Sequence, residues 1–172
     1  MTGIKGRPID PRELIALARE LLGDDRPVTN SHFRRAVSTA YYVLFHLILG
    51  TAAKRFIGSD RRLGAYAVFY RGFKHGDMRQ ACVELAKPIL SPGLQRQLGR
   101  IRMSDATREF AKSFSSIQEQ RHAADYDPDR LFVRSDVRSL VEATERTMEF
   151  FLAIELVEQA DVLALMLVRS RP

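Results

Sequence analysis

The chain reads as an all-α protein: an up-and-down helical bundle of four long helices plus short extra helices. Three observations predict this. Apolar residues recur at spacings of three and four over long segments. Residues that start helices precede those segments, and Gly or Pro follows them. No segment alternates strictly with β-branched enrichment, the mark of a strand. The 172 residues are 45% hydrophobic and 28% charged, a soluble globular balance that excludes disordered and collagen-like chains. A chain this long builds a core without needing metal or disulfide, and one domain over 1–172 is predicted.

The elements follow in order. Asp10 and Pro11 suit a helix start, and Leu14, Leu17, Ala18, Leu21 and Leu22 then recur at helical spacing until Gly23. Pro27 to Asn30 reads as a turn. Asn30 or Ser31 can cap a long second helix reaching about Phe56, with Phe33, Val37, Ala40, Leu44 and Ile48 as its core stripe and Gly50 as a bend or end. The segment 58–99 is an irregular helical excursion. It offers short helices around Leu63–Phe73 and Asp77–Lys87, broken by Gly72, Gly76, Pro88 and Pro92. Ser104 or Asp105 caps the next long helix, which ends near Tyr126 because Pro128 disfavours helix at Asp127. Ser135 caps the last helix, running towards Val168 with either a break near Glu158-Gln159 or one side facing a partner subunit.

Charge and compartment narrow the function classes. Lys plus Arg number 27 against 21 for Asp plus Glu, a formal +6 that mildly favours phosphate-bearing partners. The basic residues are mostly Arg, clustered as Arg34-Arg35, Lys54-Arg55, Arg61-Arg62, and Arg96, Arg100 and Arg102. The single cysteine, Cys82, excludes an intramolecular disulfide and a cysteine zinc cluster. The short, polar N-terminal segment does not resemble a secretory signal, which predicts a cytoplasmic protein. The apolar stretch Met148 to Val168 contains Glu149, Glu155, Glu158 and Asp161, so no membrane span is expected there.

Two constellations carry chemistry. On the second helix, Arg35, Thr39, Tyr42 and His46 are spaced by four, three and four residues and share one stripe beside the core stripe. Half-buried boundary packing explains such a stripe as readily as binding does. On the helix from Ser104, the apolar face Phe110, Phe114 and Ile117 continues by fours to Arg121 and Asp125. An arginine therefore stands where the pattern wants leucine, and burying it requires a partner. Asp125 is one turn away, and His122 and Tyr126 flank the pair. Either the pair pins the bundle end, or a polar cleft forms where this helix meets the second. His75, in Phe73-Lys74-His75-Gly76-Asp77, reads as a helix starter, and His32 as an exposed residue near a helix start. No HExxH, P-loop, GxSxG or GxGxxG is present, and no repeated Glu-x-x-His pattern. No cofactor and no metal is therefore expected.

The segment Arg35-Ala36-Val37-Ser38-Thr39-Ala40-Tyr41-Tyr42-Val43-Leu44-Phe45-His46 resembles the second helix of HEPN-domain proteins. Arg121-His122-Ala123-Ala124-Asp125-Tyr126 resembles the R-x-x-A-D-Y signature of small stand-alone prokaryotic members of that family. The resemblance covers Pro11 to Phe151. It implies a helical bundle, commonly a homodimer, and for many members a metal-independent endoribonuclease of toxin–antitoxin or defence systems. A nucleotidyltransferase-like antitoxin is a partner it suggests. In that family an Arg holds the phosphate, and a His four to six residues beyond assists proton transfer at a ribose 2′-hydroxyl. Here Arg121 matches the arginine, but Asp125, Tyr126 and Asp127 stand where the histidine belongs. His122 is adjacent and points about 100° away on a helix. Arg26 and His32 have the raw spacing but straddle the Pro27 turn.

Three functions compete. The first is a HEPN-like nucleotide- or RNA-binding or regulatory module using Arg35, Tyr42, Arg121, Asp125 and Tyr126. The second is a ribonuclease with a divergent site, Arg121 clamping phosphate and His46 or His122 acting as acid–base. The third is a structural or interaction homodimer without ligand, in which Arg121 and Asp125 only pin the bundle.

Overall fold

The computed structural model describes residues 9–23, 26–59 and 64–167, and among these there are eight helices and no strand. They are α1 (Pro11–Leu22), α2 (Asn30–Phe56), α3 (Gly64–Tyr70), α4 (His75–Leu85), α5 (Pro92–Leu98), α6 (Asp105–Tyr126), α7 (Arg134–Ala153) and α8 (Leu156–Leu167). The basic pair at 61–62 lies outside the described residues. α1, α2, α6 and α7 pack into a four-helix bundle; α3 lies on α2, and α4 lies on α6 and α8.

Local chemistry sets the helix ends. Asp10 Oδ1 accepts the Arg12 N–H at 2.8 Å, and Pro11 opens α1. Gly23 closes it at φ 58, where an added Cβ would also lie 2.5 Å from Val28. Ala18 and Leu22 are buried, but Leu17 of the expected stripe is exposed. At α2 the cap is Thr29 rather than Asn30 or Ser31: His32 Nδ1 accepts the Thr29 N–H at 3.3 Å. Asn30 is instead used across the bundle, donating to Arg130 O and accepting the Phe132 N–H at 2.9 Å. Gly50 does not end α2, which continues to Phe56.

α2 is long and apolar enough to cross a membrane by length and composition, but 67% of its apolar window is buried inside the protein. It is the central core helix, with Val37, Ala40, Leu44 and Ile48 fully covered. α5 is an element that the Gly and Pro punctuation concealed: Pro92 opens it and Gly99, at φ 65, closes it. Ser104 caps α6 by accepting the Thr107 N–H, and Asp127 is extended before Pro128.

The last helix divides four residues earlier than the expected break near Glu158-Gln159. Ile154 is extended, and Glu155 accepts the N–H groups of Val157 and Glu158 that open α8. Gln159 donates back to Phe151 O at 3.0 Å, fastening the two helices across the break. Ser135 does not cap α7; Val133 precedes its first residue.

The core has two parts. One gathers Tyr41, Leu44, Phe110, Phe114, Ile117, Phe151 and residues of α4 and α8. The other gathers Ala18, Leu22, Val37, Ala40, Ala124 and residues of α7. Polar residues mark the seam between them: Ser38 and Thr39 on α2 and Gln118 on α6 are all buried.

At the far end Glu158 ties α8 to α6. Its Oε1 accepts from Ser104 N at 3.0 Å, from Ser104 Oγ at 2.7 Å and from Thr107 Oγ1. Arg100 bridges its other oxygen at 2.7 Å and reaches Asp161 at 3.0 Å. Burial alone raises a carboxyl pKa, but these hydrogen bonds and Arg100 outweigh it and hold Glu158 below its ordinary value.

Two stability predictions follow from these contacts. Glu158→Gln should cost about 1–3 kcal/mol at pH 7 in denaturant melts. Because the folded pKa is depressed, this stabilisation is full above the ordinary carboxylate range and lost as pH falls through the folded value. The gap between wild type and variant should therefore close in acid. Gly50→Ala should raise stability by about 0.5–1 kcal/mol, since a Cβ at Gly50 meets nothing within 4 Å.

Candidate functional site

Arg121 sits on α6 where the two cores meet, with its side chain only 13% exposed. The turn spacing from Ile117 that aims it inward also places Asp125 on its flank. Arg121 Nε lies 2.7 Å from Asp125 Oδ2. The contact is an ion pair without a hydrogen bond, because the buried Nε–H does not line up with any acceptor. Nη2 donates to Tyr42 Oη at 3.2 Å. The guanidinium carbon lies 5.7 Å from the Tyr41 and Tyr42 ring centres and 5.6 Å from that of Tyr126. Asp125 is held in turn by Ser38, whose hydroxyl donates at 2.8 Å. Burial works against the Arg121 charge, but Tyr42, Asp125 and Tyr126 outweigh it and raise its pKa above the ordinary value.

The structure thus joins Tyr42, Arg121, Asp125 and Tyr126 of the expected binding residues. Tyr126 lies at the mouth, 65% exposed. Arg35 does not enter. It is exposed, and its neighbour Arg34 is the one used, donating to the carbonyls of Ala124 at 2.8 Å, Arg130 at 3.0 Å and Asp127. Arg34 thereby closes the C-terminus of α6 just beyond the site.

The three histidines differ. His122 is exposed and packs on Tyr126 with ring centres 4.9 Å apart, on the outside of the helix. His46 stacks on Tyr42 at 6.0 Å and hydrogen-bonds the Tyr70 hydroxyl, one ring removed from Arg121. His75, expected only to start a helix, does open α4, yet its ring reaches the site. It is hydrogen-bonded to the buried Tyr41 hydroxyl at 2.6 Å and lies 4.5 Å from the Phe45 ring centre. Gln118 Nε2 donates to its carbonyl at 2.6 Å, docking α4 on α6. Its only sequence signal was a histidine between glycines, and no local pattern shows that α4 brings it to Tyr41.

Burial, and then the Arg121 charge, hold His75 below the ordinary imidazole value, with Asp125 opposing. Burial lowers His46 as well. Burial also pushes the Tyr41 phenol well up, so that it keeps its proton. The site therefore combines a fixed cation, neutral imidazoles and phenol hydroxyls. Such a set suits an anion held beside Arg121, with a neutral base nearby. Among the described residues, no group of three His, Cys, Asp or Glu side chains converges as a metal site.

NMR titration should find His75 and His46 gaining protons below pH 6.5, their ordinary value. Both take up protons more readily unfolded than folded, so stability holds above about 6.5 and declines as pH falls through the folded values. Midpoints at or above 6.5 would contradict this environment. Arg121→Ala should cost about 3 kcal/mol, the lower end for a broken buried pair, because Asp125 reaches solvent. Asp125→Asn should cost about 1 kcal/mol, since three rings still hold the guanidinium.

No family model, no curated protein and no solved structure matches this chain.

Proposed function

We propose that this chain is a HEPN-like module that binds the phosphate of a nucleotide or RNA, with Arg121 as the residue that takes it. One observation carries the reading: Arg121 is largely withdrawn from solvent, with a buried Nε, yet under-paired. Its Nε–H has no aligned acceptor, Nη2 has a single phenol partner, and Nη1 has none among the described residues. A pair built only to pin a bundle gains from saturating the guanidinium with two parallel hydrogen bonds. Here the rings and one off-line carboxylate fix the guanidinium and leave donors unspent. Tyr126 and Tyr42 beside it offer ring surface to a base.

A metal-independent ribonuclease is the second reading. The observation that favours it is His75, a neutral imidazole bonded to Tyr41, the same ring that Arg121 covers. His75 replaces His46 and His122 as the imidazole best placed for acid–base work.

Titration of labelled single-stranded RNA against wild type, Arg121→Lys and Asp125→Asn tests the binding. Lysine keeps the charge but not the fork, so Arg121→Lys should bind at least tenfold more weakly. Asp125→Asn removes a negative charge beside the phosphate and should bind several-fold more tightly. Equal affinity of wild type and Arg121→Lys would refute the assignment. Incubation of the same RNA with EDTA separates the two readings. Cleavage that His75→Asn abolishes would establish the nuclease, and intact RNA would leave the binding module.

A further inference from the structure

Tyr42, His46, Gly50 and Lys54 recur every four residues and lie along one face of α2. A ladder of rings runs beside them. Tyr42 stacks on His46 at 6.0 Å and 28°, His46 on Tyr70 at 6.0 Å and 19°, and Tyr70 on Tyr66 at 6.1 Å and 19°. The ladder starts at the tyrosine that binds Arg121. It ends at a cavity of about 420 Å³ lined by His46, Gly50, Thr51, Lys54 and Tyr66, among others, with no acidic side chain in its wall among the described residues. That volume is in the range of small-ligand sites.

Gly50 sharpens the point. Glycine is unfavourable inside a helix, and here no packing demands it: a Cβ at this position meets nothing within 4 Å. The missing side chain leaves the cavity floor open and lets a flat group approach the backbone. Lys54 is exposed at the rim and has no acidic partner among the described residues. Stacked rings, a bare backbone and an unpaired ammonium are the features that bind a base and its phosphate.

We infer that this cavity is a second nucleoside-phosphate subsite, and that the ligand is a single-stranded oligonucleotide running along α2 from Arg121 to Lys54. The inference rests on the phosphate-binding reading of Arg121. Tyr42 and Lys54 are twelve residues apart, about 18 Å along a helix. A mononucleotide cannot cover that span; about five nucleotides at a stacked spacing of about 3.4 Å can.

Fluorescence anisotropy of a labelled mixed-sequence pentaribonucleotide, measured over a range of salt, tests this. Wild type should bind the pentamer at least tenfold more tightly than a dinucleotide. Gly50→Leu fills the cavity and should lose tenfold or more in pentamer affinity while melting no lower than wild type. Lys54→Gln should flatten the log–log salt dependence by about 0.7, the loss of one phosphate contact on a single strand. Suppose instead that both variants bind the pentamer as wild type does, while Arg121→Lys binds it weakly. The subsite is then refuted and the Arg121 reading survives. A wild type that does not bind the pentamer overturns both.

Discussion

A guanidinium drawn largely out of water between two apolar clusters is the constraint around which the middle of this molecule is built. A charge there is tolerable only if dipoles, rings and a counter-charge surround it. Arg121 on α6 therefore requires Asp125 one turn on, Tyr41 and Tyr42 on α2, and Ser38 to hold the carboxylate. These demands fix the contact between α2 and α6, the two longest helices. They also explain why Ser38, Thr39 and Gln118 are buried at the seam, where an uninterrupted core would place aliphatic residues.

The same economy governs the ends of the helices. Arg34 closes α6 through three carbonyls, and Asn30 ties the start of α2 to the loop after α6. Glu158 binds the start of α6 to α8 from the opposite end. α6 is thus held at both termini by side chains distant in sequence. Arg121, near the C-terminal end of α6, is held in place by that fastening. α4 adds the last component by carrying His75 against Tyr41, with Gln118 as the fastening.

Periodicity made the bundle legible, since α1 and α6 are amphipathic segments with recognisable starts and stops. It also exposed Arg121, because an arginine in a leucine register is visible without any structure. Three things were hidden. Caps made by side chains of unexpected type, such as His32 on Thr29 and Glu155 ahead of α8, displace a boundary without altering the apolar pattern. The directions of Arg34 and Arg35 differ by one residue step of about 100°, so a basic pair does not reveal which member turns inward. Non-local contacts had no local signal: His75 meets Tyr41 and Tyr70 meets His46 of the α2 stripe through a segment that reads as irregular.

On the proposed function, the Arg121 fork is held open for a phosphate rather than spent on the bundle. The most direct measurement is the side-chain ¹H–¹⁵N NMR spectrum of the arginines during titration with single-stranded RNA. If the claim holds, the Arg121 guanidinium resonances shift and sharpen as RNA is added, while those of Arg34, already committed to three carbonyls, stay in place. If the Arg121 resonances are unmoved at RNA concentrations that shift other arginines, the guanidinium is a structural pin and the ligand binds elsewhere.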